Sequence, residues 1–293
     1  MRVFVTGATG FVGAAVVRDL IGAGHSVLGL ARSVAAAASL RTAGADVHQG
    51  ALEDIDGLKR GVNSADAVIH TAFNHDFSKF VESCEADRRI IEAMGDAMIG
   101  TDKKLIVTSG TGVIKDRVVT EDDAPASGSH PRVASEDAAA AVAARGVRAM
   151  IVRLPQVHGD GDHAFVPLAI NLAREKGEAV YIGDGANRWS AVHRFDAAPV
   201  YRLALEKGAS FRYHAVAEEG VPFRAIAEVA GRRLNVPVVS KTKDEAAAHF
   251  GWFIHFAAAD MPASSAKTRA ELGWNPTGPM LLPDIDRPIY FEK

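Results

Sequence analysis

Short, nearly uninterrupted apolar runs recur through the first half of the chain, at residues 2–6, 26–30, 45–48, 67–70, 105–108 and 148–153. Strands buried on both faces of a parallel sheet require runs of this kind. Between them lie stretches of helical periodicity at residues 11–21, 34–43, 54–60, 77–98 and 135–144. Gly22 and Gly24 close the first helix, while Ser135 and Gly146 read as the N-cap and the stop of the last. Such alternation, with right-handed crossovers, specifies an α/β fold built on a doubly wound parallel sheet. Beyond about Pro155 the pattern turns irregular, with Gly- and Pro-containing loops and scattered helices. The expected organisation is a sheet domain over residues 1–155 and a smaller mixed α/β lobe over 156–293, with no second independent sheet. Part of that lobe is free to return to the first sheet.

The first strand runs into Thr6-Gly7-Ala8-Thr9-Gly10-Phe11-Val12-Gly13 and then into a helix. Gly7 permits the tight turn, Gly10 lets backbone approach a pyrophosphate, and Gly13 lets helix and strand pack closely. Free amides at the helix start then face the phosphates, which predicts a Rossmann dinucleotide site. The second strand ends in Gly29-Leu30-Ala31-Arg32-Ser33. An NAD site places a carboxylate here for the ribose hydroxyls. A guanidinium beside a hydroxyl suits the 2′-phosphate of NADP instead, so Arg32 and Ser33 favour NADPH over NAD.

Composition narrows the partners. Among the 293 residues, 33 Lys+Arg against 36 Asp+Glu leave a net charge of -3, which offers no global field for nucleic acid. The single cysteine, Cys84, excludes an internal disulfide framework and a multi-thiolate zinc site. The apolar run at residues 3–17 is too short to span a membrane and is interrupted by glycines. A cytoplasmic protein without nucleic-acid or membrane partners is expected. The loop from His158 to His163 offers two imidazoles and two carboxylates, but ligands so close in sequence lack a rigid third anchor, so no metal is expected.

The glycine turn, with Asp66-Ala67-Val68-Ile69-His70-Thr71-Ala72, Val107-Thr108-Ser109-Gly110, Val152-Arg153-Leu154-Pro155-Gln156-Val157-His158-Gly159, Val192-His193-Arg194-Phe195-Asp196 and Leu272-Gly273-Trp274-Asn275-Pro276, resembles the extended and atypical short-chain dehydrogenase/reductases, the epimerase/dehydratase-like group. The likeness runs over nearly the whole chain. It implies that Gly7, Thr9, Gly10, Phe11, Val12 and Gly13 hold the pyrophosphate and that Leu52 flanks the adenine. It further implies that Ala72 and Phe73 line the ribose and that Pro155, Gln156 and Val157 meet the nicotinamide. A small-molecule substrate and a homodimer through the helices at 77–98 and from 135 also follow from the resemblance.

One departure concerns the chemistry. The family uses a Tyr as general acid/base, with a Lys four residues later that lowers its pKa and holds the ribose. Arg132 and Glu136 stand at those positions, and neither can substitute. Nor does another tyrosine supply the pair: Gly185, Leu205 and Ala217 follow Tyr181, Tyr201 and Tyr213 at that spacing, and the chain ends before a partner for Tyr290. Ser109 and Thr111, at the carboxyl edge of the sheet, and His158, after the sixth strand, are the remaining candidates to orient or protonate a substrate oxygen. Arg188 with Trp189 is expected to hold an anionic or planar group, and the run His249 to Phe256 reads either as core or as a wall over an apolar pocket. Three functions compete: an NADPH-dependent carbonyl reductase or dehydrogenase, a nucleotide-sugar epimerase or dehydratase, and a non-catalytic NADP-binding redox sensor.

Overall fold

The computed structural model describes residues 1–114 and 116–292. Its strands are Arg2–Thr6 (β1), Ser26–Ala31 (β2), Asp46–Gln49 (β3), Ala67–His70 (β4), Lys104–Gly110 (β5), Arg148–Leu154 (β6), Gln156–His158 (β7), Ala179–Ile182 (β8), Arg188–His193 (β9), Arg212–His214 (β10), Glu218–Pro222 (β11) and Val238–Lys241 (β12). Seven of them form a parallel sheet in the order β10-β6-β5-β4-β1-β2-β3. The direction of winding reverses between β1 and β4, and the crevice beyond their carboxyl ends is where such sheets bind ligands.

Period-two alternation along β1 explains the two layers of helices. Val3 and Val5 join the core beneath helices Phe11–Gly22, Val34–Thr42 and Arg194–Lys207, whereas Phe4 joins the core beneath Ile55–Asn63, Phe80–Asp96 and Val133–Ala144. Five crossovers therefore lie where the hydrophobic pattern puts them.

Several boundaries differ from expectation, each for a physical reason. Ser135 does not cap its helix, which begins at Val133 with Arg132 in the capping position. Ser135 is fully buried and bonds to Asp87 instead. The stretch at 77–98 divides into a 3-10 turn, Phe77–Lys79, and the helix Phe80–Asp96, because the Asp76 side chain caps a separate turn by accepting from the Ser78 amide. β5 runs on through Ser109 to Gly110.

The second half departs more. It holds a three-stranded sheet, β11-β9-β7, and a two-stranded one, β12-β8, so the expectation of no further sheet was wrong. These strands are three to six residues long and only partly apolar, too short to give a periodic signal. Their side chains build a third core with Ile170, Trp189, Phe223, Ile226, Phe250 and Phe253. Helix Arg194–Lys207 and β10 return to the large sheet. Among the described residues no helix is long and apolar enough to cross a membrane.

Candidate functional site

The turn after β1 has the geometry its glycines imply. Gly7 has φ +66°, and a Cβ there would come within 2.6 Å of the Ala72 amide nitrogen. At Gly13 a Cβ would sit 2.0 Å from the Gly7 carbonyl oxygen, so only glycine allows the helix this close. Gly10 differs: apart from that same carbonyl at 3.2 Å, nothing approaches its open side. No side chain caps helix Phe11–Gly22, and its first amides are left for an anion. Thr9 and Gly10 are exposed, with Phe11 and Val12 half-buried. These residues fit the pyrophosphate of a dinucleotide.

At the end of β2, Arg32 and Ser33 are both exposed. Ser33 Oγ accepts from the Ala36 amide at 3.1 Å and caps the next helix, whereas Arg32 has no hydrogen-bond or ion-pair partner among the described residues. Leu52 packs half-buried against the second core. Ala72 and Phe73 follow β4 after Thr71, whose Oγ1 donates to the Thr6 carbonyl at 2.8 Å. Pro155 and Gln156 are half-buried beyond β6, and Val157 is buried in the first core.

Between the phosphate turn and helix Val133–Ala144 runs a buried polar chain. Thr6 Oγ1 meets His70 Nδ1 at 2.6 Å, and His70 Nε2 meets Asp87 Oδ1 at 2.8 Å. Asp87 Oδ2 accepts from Arg132 Nη1 at 2.8 Å and from Ser135 Oγ. Burial opposes ionisation of Asp87, but Arg132 and His70 outweigh it and hold the carboxyl far below its usual range. With Asp87 ionised, the hydrogen between it and His70 belongs to Nε2. Arg132 also donates to the Thr108 carbonyl at 2.9 Å and lies 4.1 Å over the ring of Phe73.

Four residues along that helix, Glu136 grips Arg153 through two bonds of 2.7 and 2.8 Å, both side chains being buried. Burial again raises the carboxyl, and the Arg153 guanidinium more than offsets it. Arg132 and Glu136 are thus fixed in ion pairs. The Tyr201 hydroxyl lies 2.9 Å from Thr108 Oγ1, but complete burial pushes the phenol well above its ordinary value.

Ser109 Oγ is buried at the end of β5 without a hydrogen bond of ordinary geometry. Thr111 Oγ1 is buried against Ser190 Oγ at 3.3 Å. His158 belongs to a different group. Its Nδ1 lies 2.8 Å from Asp284 Oδ2, which also accepts from the Tyr290 hydroxyl at 2.8 Å, and its Nε2 is buried without a partner. The structure therefore brings Ser109 to the sheet edge, engages Thr111 with β9 and ties His158 to the C-terminal segment. Beside that segment opens a cleft of about 320 Å³ lined by Asp160, Asp162, His163, Asn171 and Tyr290, among others.

Two expectations on the substrate side change. Arg188 is bound by Asp260 through contacts of 3.0 and 2.8 Å, so its charge is already matched, and Trp189 is buried in the third core with no face open for stacking. The aromatic run divides between its two readings. Phe250 and Phe253 are core, while Trp252, 50% exposed, stacks on Phe77 at 4.9 Å, and Phe256 meets Phe77 at 5.8 Å. Together they form an aromatic wall between the segment after β4 and the small lobe.

Residues 3–216 match the NAD dependent epimerase/dehydratase family. The chain belongs to that family. An uncharacterized protein of Schizosaccharomyces pombe is 50% identical over 295 residues, covering 99% of this chain and 100% of the relative. A 2-alkyl-3-oxoalkanoate reductase of Stenotrophomonas maltophilia is 27% identical over 222 residues, covering 70% of this chain and 66% of its own. Among solved structures, the dTDP-glucose 4,6-dehydratase DesIV of Streptomyces venezuelae, with NAD and TYD bound, has a TM-score of 0.77 at 20% identity, over 99% of this chain and 97% of its own. The extended short-chain dehydrogenase/reductase fold is shared, and the protein is an oxidoreductase-like, nucleotide-binding epimerase/dehydratase family member.

Within this family member, sequence reasoning missed the chain from Thr6 through His70 and Asp87 to Arg132. A polar His70 closing an otherwise apolar buried strand was the available signal, since a buried imidazole requires a partner. Asp87 gave none, because helix Phe80–Asp96 carries many charges and its inward face shows only in three dimensions.

Proposed function

We propose that this epimerase/dehydratase family member is an NADPH-dependent oxidoreductase that interconverts a carbonyl and an alcohol on a small organic molecule. The observation that carries the reading is Arg32, exposed at the end of β2 and without a partner among the described residues, in a segment that has no carboxylate. Bound NADP(H) would supply or accept the hydride. The amides at Phe11 and Val12 would hold its pyrophosphate, and Arg32 with Ser33 its 2′-phosphate. Ser109, whose hydroxyl lies beside the Glu136 carboxylate at the sheet edge, would orient the substrate oxygen, and the wall of Phe77, Trp252 and Phe256 favours an apolar substrate. The reductase activities in the names of relatives about one quarter identical to this chain support a carbonyl substrate.

Nucleotide sugars are less well served, because Arg188 is neutralised by Asp260. A second reading, a dinucleotide-binding redox sensor without turnover, draws support from Arg132 and Glu136, which are locked in ion pairs where the family has its acid and its ammonium.

Titration with both cofactors tests the proposal. NADPH is expected to bind roughly 10–100-fold more tightly than NADH, the effect of one charge-assisted contact, and Arg32→Ala removes that preference. Tighter NADH binding refutes the NADP assignment. Deuterium transfer from labelled NADPH into a panel of aldehydes and ketones separates enzyme from sensor: transfer to none, with intact cofactor affinity, favours the sensor.

A further inference from the structure

We propose that Arg194 is a phosphate-clamping residue, which reaches the pyrophosphate of the dinucleotide from the far side of the turn opposite the helix amides. The inference rests on the dinucleotide reading above and adds to it a residue outside the glycine fingerprint.

Arg194 opens the helix Arg194–Lys207 that returns to the large sheet. Its guanidinium carbon lies 5.1 Å from the ring centroid of Phe11, the first residue of the phosphate helix, and 4.6 Å from that of Phe195. A second guanidinium, that of Arg18, lies 4.9 Å from Phe195. The result is a ladder of cations and aromatic faces beside the phosphate turn, a geometry that holds a guanidinium in place while leaving its N–H edge free. The loop after β7 closes over the same side chain: a Cβ at Gly159, where φ is +136°, would stand 3.3 Å from Arg194 Cγ.

No internal anion accounts for this arrangement. Arg194 has no carboxylate partner among the described residues, and its Nε is buried without a hydrogen bond. The carboxylate in the same first turn, Asp196, accepts instead from the amides of Thr277 and Gly278 at 3.1 and 2.7 Å. A cation at the first position of a helix also opposes the helix dipole, which favours negative charge there. A pinned guanidinium of unmet charge, stacked on the residue that begins the phosphate helix, calls for an anion from outside the chain, and the pyrophosphate is the anion that the turn is built to receive.

The test is a binding comparison on the full chain, read by calorimetry. Arg194→Leu keeps an apolar side chain between Phe11 and Phe195 while removing the charge. It is expected to raise the Kd of NADPH, NADH and ADP-ribose alike, by roughly 10–100-fold, and to leave 2′-AMP, which has no pyrophosphate, unchanged. Arg194→Lys should recover part of the loss. Arg32→Ala gives the opposite pattern, weakening NADPH and 2′-AMP and sparing NADH. Unchanged dinucleotide affinity in Arg194→Leu, with normal wild-type binding, overturns the clamp alone. Failure of the wild-type protein to bind either dinucleotide overturns the clamp and the cofactor reading together. Equal weakening of 2′-AMP and the dinucleotides would mark a general distortion and also count against the clamp. The thermal midpoint of the ligand-free variant identifies a folding defect, and the Arg194→Lys titration then decides: affinity no different from wild type or from Arg194→Leu refutes the clamp.

Discussion

Replacing Glu136 with glutamine tests a structural role at the position where the sequence resemblance leads one to expect lysine. Arg153 is fully buried, and Glu136 supplies both oxygens to it at 2.7 and 2.8 Å. Arg212 Nε donates to the same carboxylate at 3.2 Å. In Glu136→Gln the side-chain amide could accept one of these bonds but would leave the guanidinium uncompensated, with only the Asp123 carbonyl at 2.9 Å and His214 Nε2 at 3.2 Å beside it. Breaking one partner of a buried pair costs about 3–5 kcal/mol. At about 2–4 °C per kcal/mol for domains approaching this size, the thermal midpoint should fall by roughly 6–20 °C. The carboxyl is held below its unfolded value, so the unfolded chain binds the proton more readily. The stabilisation is then full above the unfolded pKa and is lost as pH falls through the folded one. Denaturant melts of wild type and Glu136→Gln should therefore differ by a constant amount from pH 8 down to about 5 and converge only below about 4.5, while the Kd for NADPH at pH 7 stays put. Replacing both partners, Glu136→Met with Arg153→Leu, should be far milder than either single change. A loss below about 1 kcal/mol at pH 7, or a gap that widens toward acid, refutes the reasoning.

Burial pushes the Asp162 carboxyl up to about 6, so the folded state penalises its charge and stability falls as pH rises from about 4 to about 6. Asp162→Asn should thus gain roughly 1–3 kcal/mol at pH 7.5 and nothing at pH 4, and a gain that persists at pH 4 in paired thermal melts would contradict this. Trp252→Ala removes half of the Phe77 stack at a half-exposed position. KM for apolar carbonyl substrates should rise roughly tenfold, about 1.4 kcal/mol, with kcat little changed, and steady-state kinetics showing equal KM values for polar and apolar substrates before and after would remove the wall from the pocket.

The large sheet was legible because its strands are buried on both faces: the consecutive residues Val68 and Ile69, like Ile106 and Val107, point to opposite faces and are all fully buried. The phosphate turn was legible because its glycines answer to backbone contacts that no other residue survives, as at Gly13. Readings that depended on side-chain direction fared worse. Ser135 looked like a cap by residue type, yet its hydroxyl turns inward to Asp87, 48 positions away in sequence. Arg188 looked free for a ligand until Asp260, distant in sequence, was seen to hold it. Arg194 gave no local signal at all, since its meaning lies in Phe11 and Phe195 stacking around it. Charge partners at long range are set by topology, which periodicity does not encode.

β10 has a consequence for how the chain can be divided. Its three residues pair with Ile151 to Arg153 and cover the outer edge of β6. A fragment cut at 155 would bare that edge, an apolar strand with unpaired amides and carbonyls, and would be expected to recruit other copies and aggregate. The family match ends at residue 216, two positions past β10, at the physical limit of the sheet. The modular parts are then the excursions at 156–193 and 218–264, because Leu272 and Trp274 return to the core of the sheet and Thr268 and Glu271 bond to the β10 segment. Exchanging those excursions while keeping 194–217 and 265–275 with the first 155 residues is the division that preserves the sheet's core and the phosphate turn.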